Sequence, residues 1–238
     1  MISILAVNRN CLEWMQLLVK SVKKFTLVPY EIIILDNNSE DGSYEWLKEE
    51  NGVRPVPLPN NIGHGMGLDA LVRQACHRFC LVLDIDAHLQ HREWGYDLLD
   101  LYMAHPKRRL IAAKGGEKKP VHPCFMFFER EFFIKHNLKF IPTKEYDVGR
   151  KLYSDVLELG YEVFRVPVGY ESQGKKFYDG AYGDEYYING KPMVYHNWYS
   201  SRMYKKEQVD GYTKEEFTKR KQIVFDQALV RDILDYKD

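Results

Sequence analysis

The chain has 238 residues, 45% apolar and 29% charged, with 34 basic and 34 acidic side chains. That length suits one sizeable α/β domain, and the balanced charge excludes a globally basic nucleic-acid binder. No apolar run approaches the roughly 18 residues that span a bilayer. Met1–Val7 is apolar but lacks the basic segment of a signal peptide. Cys11, Cys76, Cys80 and Cys124 form no C-x-x-C pair, so they carry no structural zinc signature. This usage fits a reducing compartment, and the expected setting is cytoplasmic. Cys76 and Cys80, one helical turn apart, read as small buried apolar residues.

Ile2–Val7 is a continuous apolar run, as expected of a buried parallel strand. Leu12–Phe25 has helix spacing at Leu12, Met15, Leu18, Val19 and Val22. Tyr30–Leu35 is a second strand and Ser43–Glu50 a short helix stopped by Asn51-Gly52. Val53–Leu58 is a third strand, weakened by Pro55 and Pro57, and Gly67–Arg78 reads as a helix. Phe79–Leu83 is a fourth strand, apolar throughout. The second half is less regular. Trp94–Ala104, Arg130–His136 and Val148–Leu159 read as helices, and Leu110–Ala113, Cys124–Phe128 and Tyr161–Val166 as strands. Gly169 to Gly211 lacks periodicity and reads as long loops, which in compact domains are often functional. Thr213-Lys214-Glu215-Glu216 has the form of a capping box opening a last helix. Phe217, Val224, Ala228, Leu229 and Ile233 would form its apolar face.

Alternating strands and helices predict a mostly parallel sheet covered on both faces. Each of the first four strands runs into a polar cluster: Asn8-Arg9-Asn10, Asp36-Asn37-Asn38-Ser39, Asn60-Asn61 and Asp84-Ile85-Asp86. Ligands bind such sheets at the carboxyl ends of the strands, so four polar ends predict one shared site.

Asp84 and Asp86 are two residues apart, and on an extended backbone such side chains point the same way. Two carboxylates after an apolar strand are costly unless neutralised. A divalent cation carrying a diphosphate would neutralise them, and oxygen ligands favour Mg or Mn. A D-x-D anywhere else in a chain would read as a helix cap or turn; its place beside three other polar strand ends favours the metal. Asp36 could accept from a base N–H or ribose hydroxyl, or simply shape a strand-to-helix loop with Asn38, Ser39 and Asp41. Asn61-Ile62-Gly63-His64-Gly65-Met66-Gly67 supplies glycines that could let backbone N–H groups approach a ligand. It is not a dinucleotide fingerprint, which would follow the first strand.

Four segments, in this order, resemble the nucleotide-binding half of family 2-like glycosyltransferases with the GT-A fold. They are Ile2–Asn10 with Leu12-Glu13, Leu35–Ser43, Asn61-Ile62-Gly63 and Leu83–Asp86. The resemblance covers roughly the first 90 residues well and the remainder more loosely. It implies a Rossmann-like, mostly parallel central sheet with helices on both faces and an irregular acceptor region. Residues 1–90 would form the nucleotide-binding half, 91–212 the acceptor half and 213–238 a C-terminal helix. Asn8, Arg9, Asp36, Asn38, Asn61, Gly63 and Asp84 would contact the nucleotide. Asp84 and Asp86 would be the family's D-x-D and metal ligands, with Asp86 the first choice of direct ligand. Tyr195-His196-Asn197-Trp198 resembles the segment whose His completes the metal site. Where the family carries Glu-Asp before a late helix, this chain has Glu145-Tyr146-Asp147.

Sugar transfer needs a neutralised leaving diphosphate, a deprotonated acceptor hydroxyl and both reactants held in line. Asp147 is the first candidate for the base and Glu145 the second. Arg202, and less so Lys205, would reach the phosphates. Twelve of the seventeen tyrosines lie between Tyr146 and Tyr212; their rings can stack on sugars or simply pack the irregular half. Phe177–Tyr187 is the candidate acceptor loop. The expected enzyme is a metal-dependent, inverting, single-transfer hexosyltransferase using a nucleotide-diphosphate sugar and a glycan or other hydroxyl acceptor. The Arg-rich motif of many processive members is not evident. Peripheral membrane contact and self-association through the last helix stay open. Three alternatives remain: a retaining rather than inverting enzyme, a non-catalytic nucleotide-sugar or glycan binder of the same fold, and a sugar-phosphate nucleotidyltransferase. The last would want a Gly-rich loop after the first strand, where Asn8-Arg9-Asn10-Cys11 has no glycine.

Overall fold

The computed structural model describes residues 1–116, 120–144, 146, 148–169, 181, 183–198, 208–209 (backbone) and 211–236. Its first half runs β1 (Ile2–Asn8), α1 (Leu12–Phe25), β2 (Tyr30–Asp36), α2 (Ser43–Glu49), β3 (Val53–Pro57), α3 (His64–Gln74) and β4 (Phe79–Leu83). The second half runs β5 (Ala87–Leu89), α4 (Trp94–Met103), β6 (Arg108–Lys114), β7 (Val121–Glu129), α5 (Arg130–Lys135), α6 (Arg150–Glu158) and β8 (Glu162–Val166). Then come β9 (Gly183–Ile188), β10 (Lys191–Asn197), the short pair β11 (Gln208–Val209) and β12 (Tyr212–Thr213), and the last helix α7 (Lys214–Val230).

Seven strands form the central sheet in the order β3-β2-β1-β4-β7-β6-β8. All ladders are parallel except the two that β7 makes, with β4 and β6. Helices cover both faces, which explains why β1 is apolar without alternation. Its Ile2, Ile4 and Ala6 join one core layer with α1, and its Leu5 and Val7 join the other with α3. In α1, Met15, Leu18, Val19 and Val22 are all buried, as their spacing requires. β3 tolerates Pro55 and Pro57 because it is an edge strand.

The structure corrects several expectations. α3 begins at His64 and ends at Gln74, so Cys76 lies beyond the helix and is exposed, while Cys80 is buried on β4. The expected loops between Gly169 and Gly211 contain β9 and β10, and β9 also takes the second half of the Phe177–Tyr187 acceptor-loop candidate. These two strands are joined by Asn189-Gly190, both at positive φ (51° and 77°). Such a two-residue Asn-Gly link is the strongest short hairpin signal a sequence offers, and it accounts for the hairpin here. Tyr186, Tyr187 and Tyr195 on these strands are buried, so they pack the core rather than face a sugar. At α7 the capping box is formed, Thr213 and Glu216 bonding each other's backbone N–H. Phe217, Val224 and Ala228 face inward, but Leu229 is 43% exposed. Ile233 is buried beyond the helix end, held by Ile233 N to Ala228 O. α7 lies against α1, where the Trp14 and Phe225 rings meet edge to face at 5.0 Å. Among the described residues no helix is long and apolar enough to cross a membrane.

Candidate functional site

The neighbour order reverses at β1, whose partners β2 and β4 lead away in opposite directions. This is the switch point of the sheet, and sheets of this kind bind ligands there, outside the carboxyl ends of the strands. The β1–β2 register pairs Asn8 with Asp36 directly. Both are buried. Asn8 Nδ2 donates to Asp36 Oδ1 (3.0 Å) and to Ser39 Oγ (3.1 Å), and Ser39 N donates to Asp36 Oδ2 (3.0 Å). Each Asp36 oxygen thus accepts one bond and keeps a further lone pair. Asn8 Oδ1 is buried with no hydrogen-bond partner. Asn38 holds the turn at φ 62° and is exposed. Arg9 Nη1 reaches Asn37 O at 3.4 Å.

The glycines before α3 divide their duties. Gly63 sits at φ +86° with open space where a Cβ would be, its N–H accepted by Asn61 Oδ1 at 2.8 Å. Gly65 and Gly67 instead admit neighbours. A Cβ would stand 2.5 Å from Phe140 O at Gly65 and 2.9 Å from Val7 Cγ2 at Gly67. These two serve close packing, not ligand approach.

Two ladders assemble the acidic end. The β4–β7 pairing continues into Asp84 N donating to Cys124 O (3.0 Å). The β5–β10 pairing sets His196 opposite Ala87, and Asn197 N donates to Asp86 O (3.0 Å). His196 Nε2 then lies 3.6 Å from Asp84 Oδ2 and 3.5 Å from Asp86 Oδ1. One oxygen from each acid and one His nitrogen lie within 4.8 Å of one another. Burial disfavours the imidazolium, yet Cys124 and Asp86 beside it push His196 well above the usual histidine value. Asp84 Oδ1 is buried with no hydrogen-bond partner, although His64 Nε2 stands 3.3 Å away. Two carboxylates, an imidazole and a spare buried acceptor fit a Mn or Mg ion.

His64, His122 and Cys124 were not singled out from the sequence for this region. The β6–β7 register shifts between Ala112 and Ala113, which pair with Met126 and His122 respectively. Pro123, lacking an N–H, falls in this irregular stretch. His122 and Cys124 flank it and, with His196, form a second close cluster within the same 4.8 Å limit. The His122 and His196 rings are 4.9 Å apart. Burial opposes a Cys124 thiolate, but the His196 and His122 imidazoles outweigh it and hold the thiol below its ordinary value. The available signal was His-x-Cys on a strand, two residues that share a face. Glu145, Asp147, Arg202 and Lys205 lie outside the described residues, as do Phe177 to Gly180 and Tyr182.

A mostly parallel seven-stranded sheet with D-x-D at the end of β4 has the architecture of GT-A glycosyltransferases, and solved structures share it. The mannosyltransferase PcManGT from Pyrobaculum calidifontis, solved with GDP-Man and Mn2+, superposes with TM-score 0.59 at 14% identity over 70% of this chain and 54% of its own. S. aureus TarS 1-349 superposes with TM-score 0.55 at 12% identity over 97% of this chain and 73% of its own. Glucosyl-3-phosphoglycerate synthase from Mycobacterium tuberculosis, solved with Mn2+, UDP and phosphoglyceric acid, gives 0.53 at 16% identity over 69% and 67%. The chain thus spans about half the length of the mannosyltransferase (54%). Identities this low speak for the fold. The sequence itself carries the family: the profile of Glycosyl transferase family 2 matches residues 3–144, more than half the chain. This protein belongs to glycosyl transferase family 2. No curated protein matches it.

Proposed function

We propose that the protein transfers a sugar from a nucleotide-diphosphate sugar to an acceptor hydroxyl, singly and with inversion. The observation that carries this reading is the convergence of Asp84 and Asp86 from the turn after β4 with His196 from β10. Asn8, Arg9, Asp36 and Asn38 would hold the nucleoside, with the spare lone pairs of Asp36 accepting from the base or ribose. Asn61 and Gly63 would border the donor, Asp84 would also face the nucleotide, and Arg202 would pair with the diphosphate. A Mn or Mg ion held by Asp84, Asp86 and His196 would neutralise the departing diphosphate. Asp147, or failing it Glu145, would take the acceptor proton. Nucleotide sugars or nucleotides in solved relatives, two of them with Mn2+, support a donor and metal of this class. The acceptor would be a glycan or other hydroxyl compound, and the setting cytoplasmic.

Calorimetric titration with UDP and GDP, with and without Mn, tests the reading. One nucleotide should bind in a metal-dependent way, and Asp86→Ala should weaken it by about tenfold or more, the 1.4 kcal/mol scale of one lost interaction. Binding that ignores both metal and Asp86 would remove the donor site as drawn.

A further inference from the structure

We propose a second metal site, for a thiophilic divalent ion such as Zn(II), formed by His122, Cys124 and His196. One donor atom from each lies within 4.8 Å of the other two. The donor set is two imidazoles and a thiol, which is soft where the Asp84/Asp86 set is hard. Three protein ligands with a fourth position left to water is a regular zinc arrangement. Nothing in the sugar-transfer chemistry uses Cys124, which is wholly buried and would be replaceable there by any small apolar residue. His196 Nε2 faces the two carboxylates, whereas its buried Nδ1 has no hydrogen-bond partner. His122 is only partly buried, which gives an ion an entry path. Binding would release the thiol proton, and any second proton on either imidazole, to solvent, leaving a thiolate and two neutral imidazoles on the metal. Ligation through His122 also gives up the 3.2 Å bond that Cys124 N donates to His122 Nδ1, because a neutral imidazole has one lone pair.

His196 belongs to both clusters. Zinc on Nδ1 would take the ring's one lone pair and leave Nε2 as an N–H donor to Asp84 and Asp86, so it would oppose Mn-dependent nucleotide binding. That consequence rests on the proposed donor site, but the zinc site itself does not.

The test is zinc affinity of the full chain, measured by competition with a chromophoric chelator, together with the absorption spectrum of the Co(II)-loaded protein. The expected result is one bound ion, with a thiolate-to-cobalt charge-transfer band. Cys124→Ser should abolish the band, and Cys124→Ser and His122→Ala should each weaken zinc by ~100-fold or more. Asp86→Asn should keep the band and change zinc affinity far less than either ligand substitution, because the amide oxygen still accepts from His196 Nε2. His122→Ala alters a partly exposed position, so it reports even where the buried Cys124→Ser fails to fold. No zinc binding, a cobalt spectrum without the thiolate band, or zinc affinity that follows Asp86 and not His122 would overturn the proposal.

Discussion

Asp69 shows how one buried side chain can tie α3 to the segment that leads towards Glu145 and Asp147. It lies on α3, buried, and its Oδ1 accepts from Phe140 N at 2.8 Å. Burial pushes its carboxyl up; the Phe140 N–H, Lys139 and Arg73 offset this only in part. A raised folded-state value means that the folded chain holds the proton more tightly. The stability this contributes is present at low pH and is lost as pH rises through the raised value. Asp69→Asn keeps the acceptor and removes the charge. It should therefore match the parent near the ordinary carboxylate range, about pH 4, and become the more stable chain as pH rises. Asp69→Ala should cost about 1–3 kcal/mol, because Phe140 N–H is left buried without its acceptor. Urea unfolding of both variants at two pH values checks this, and equal effects at both would remove the charge argument. At this scale the D-x-D was legible because its residues are only two apart in sequence. Asp69, His64 and His122 were not, because each gains its meaning from a partner elsewhere in the chain.

At the scale of elements, α3 is placed by what its glycines omit. A Cβ at Gly67 would press on Val7 Cγ2 at 2.9 Å and touch Leu35 Cδ2 at 3.5 Å. Val7 is a stiff β-branched side chain on β1, next to Asn8. Gly67→Ala is expected to destabilise by about 1–3 kcal/mol through overpacking, and to weaken nucleotide binding by shifting the end of β1. Denaturant midpoints and calorimetry on the same variant test the two halves of that statement; unchanged values would mean that α3 moves freely on the sheet. The strands and helices of residues 2–83 were legible because each carries its own periodicity or apolar run. β5 was not, having three residues, all buried. β9 and β10 hid behind their tyrosines, which suggested ligand contact although they fill the core.

At the scale of the molecule, ligand binding and folding are linked. Anything that binds the folded chain and not the unfolded one stabilises it. Mn with the preferred nucleotide, at about 100 times the dissociation constant, should add about 2.7 kcal/mol. The melting temperature should rise accordingly, fall back on chelation, and fail to rise in Asp86→Ala. An equal rise in that variant would place the binding site elsewhere. The same linkage joins distant segments in the absence of ligand. β10 follows β4 by more than a hundred residues in sequence, yet its ladder with β5 sets His196 against Asp84 and Asp86.

The sequence by itself determined the α/β class, the sheet's first four strands, the acidic pair after β4 and the family. All of these rest on local patterns: apolar runs, helix spacing and short ordered motifs that need no knowledge of distant contacts. Only the tertiary structure decided that His64 also stands beside Asp84, that Cys124 clusters with His122 and His196, and that Gly65 and Gly67 serve packing. Those facts arise from helix packing, from cross-strand register and from the irregular β6–β7 pairing. Register is set by how two faces bury together, a property of pairs of segments and not of either one.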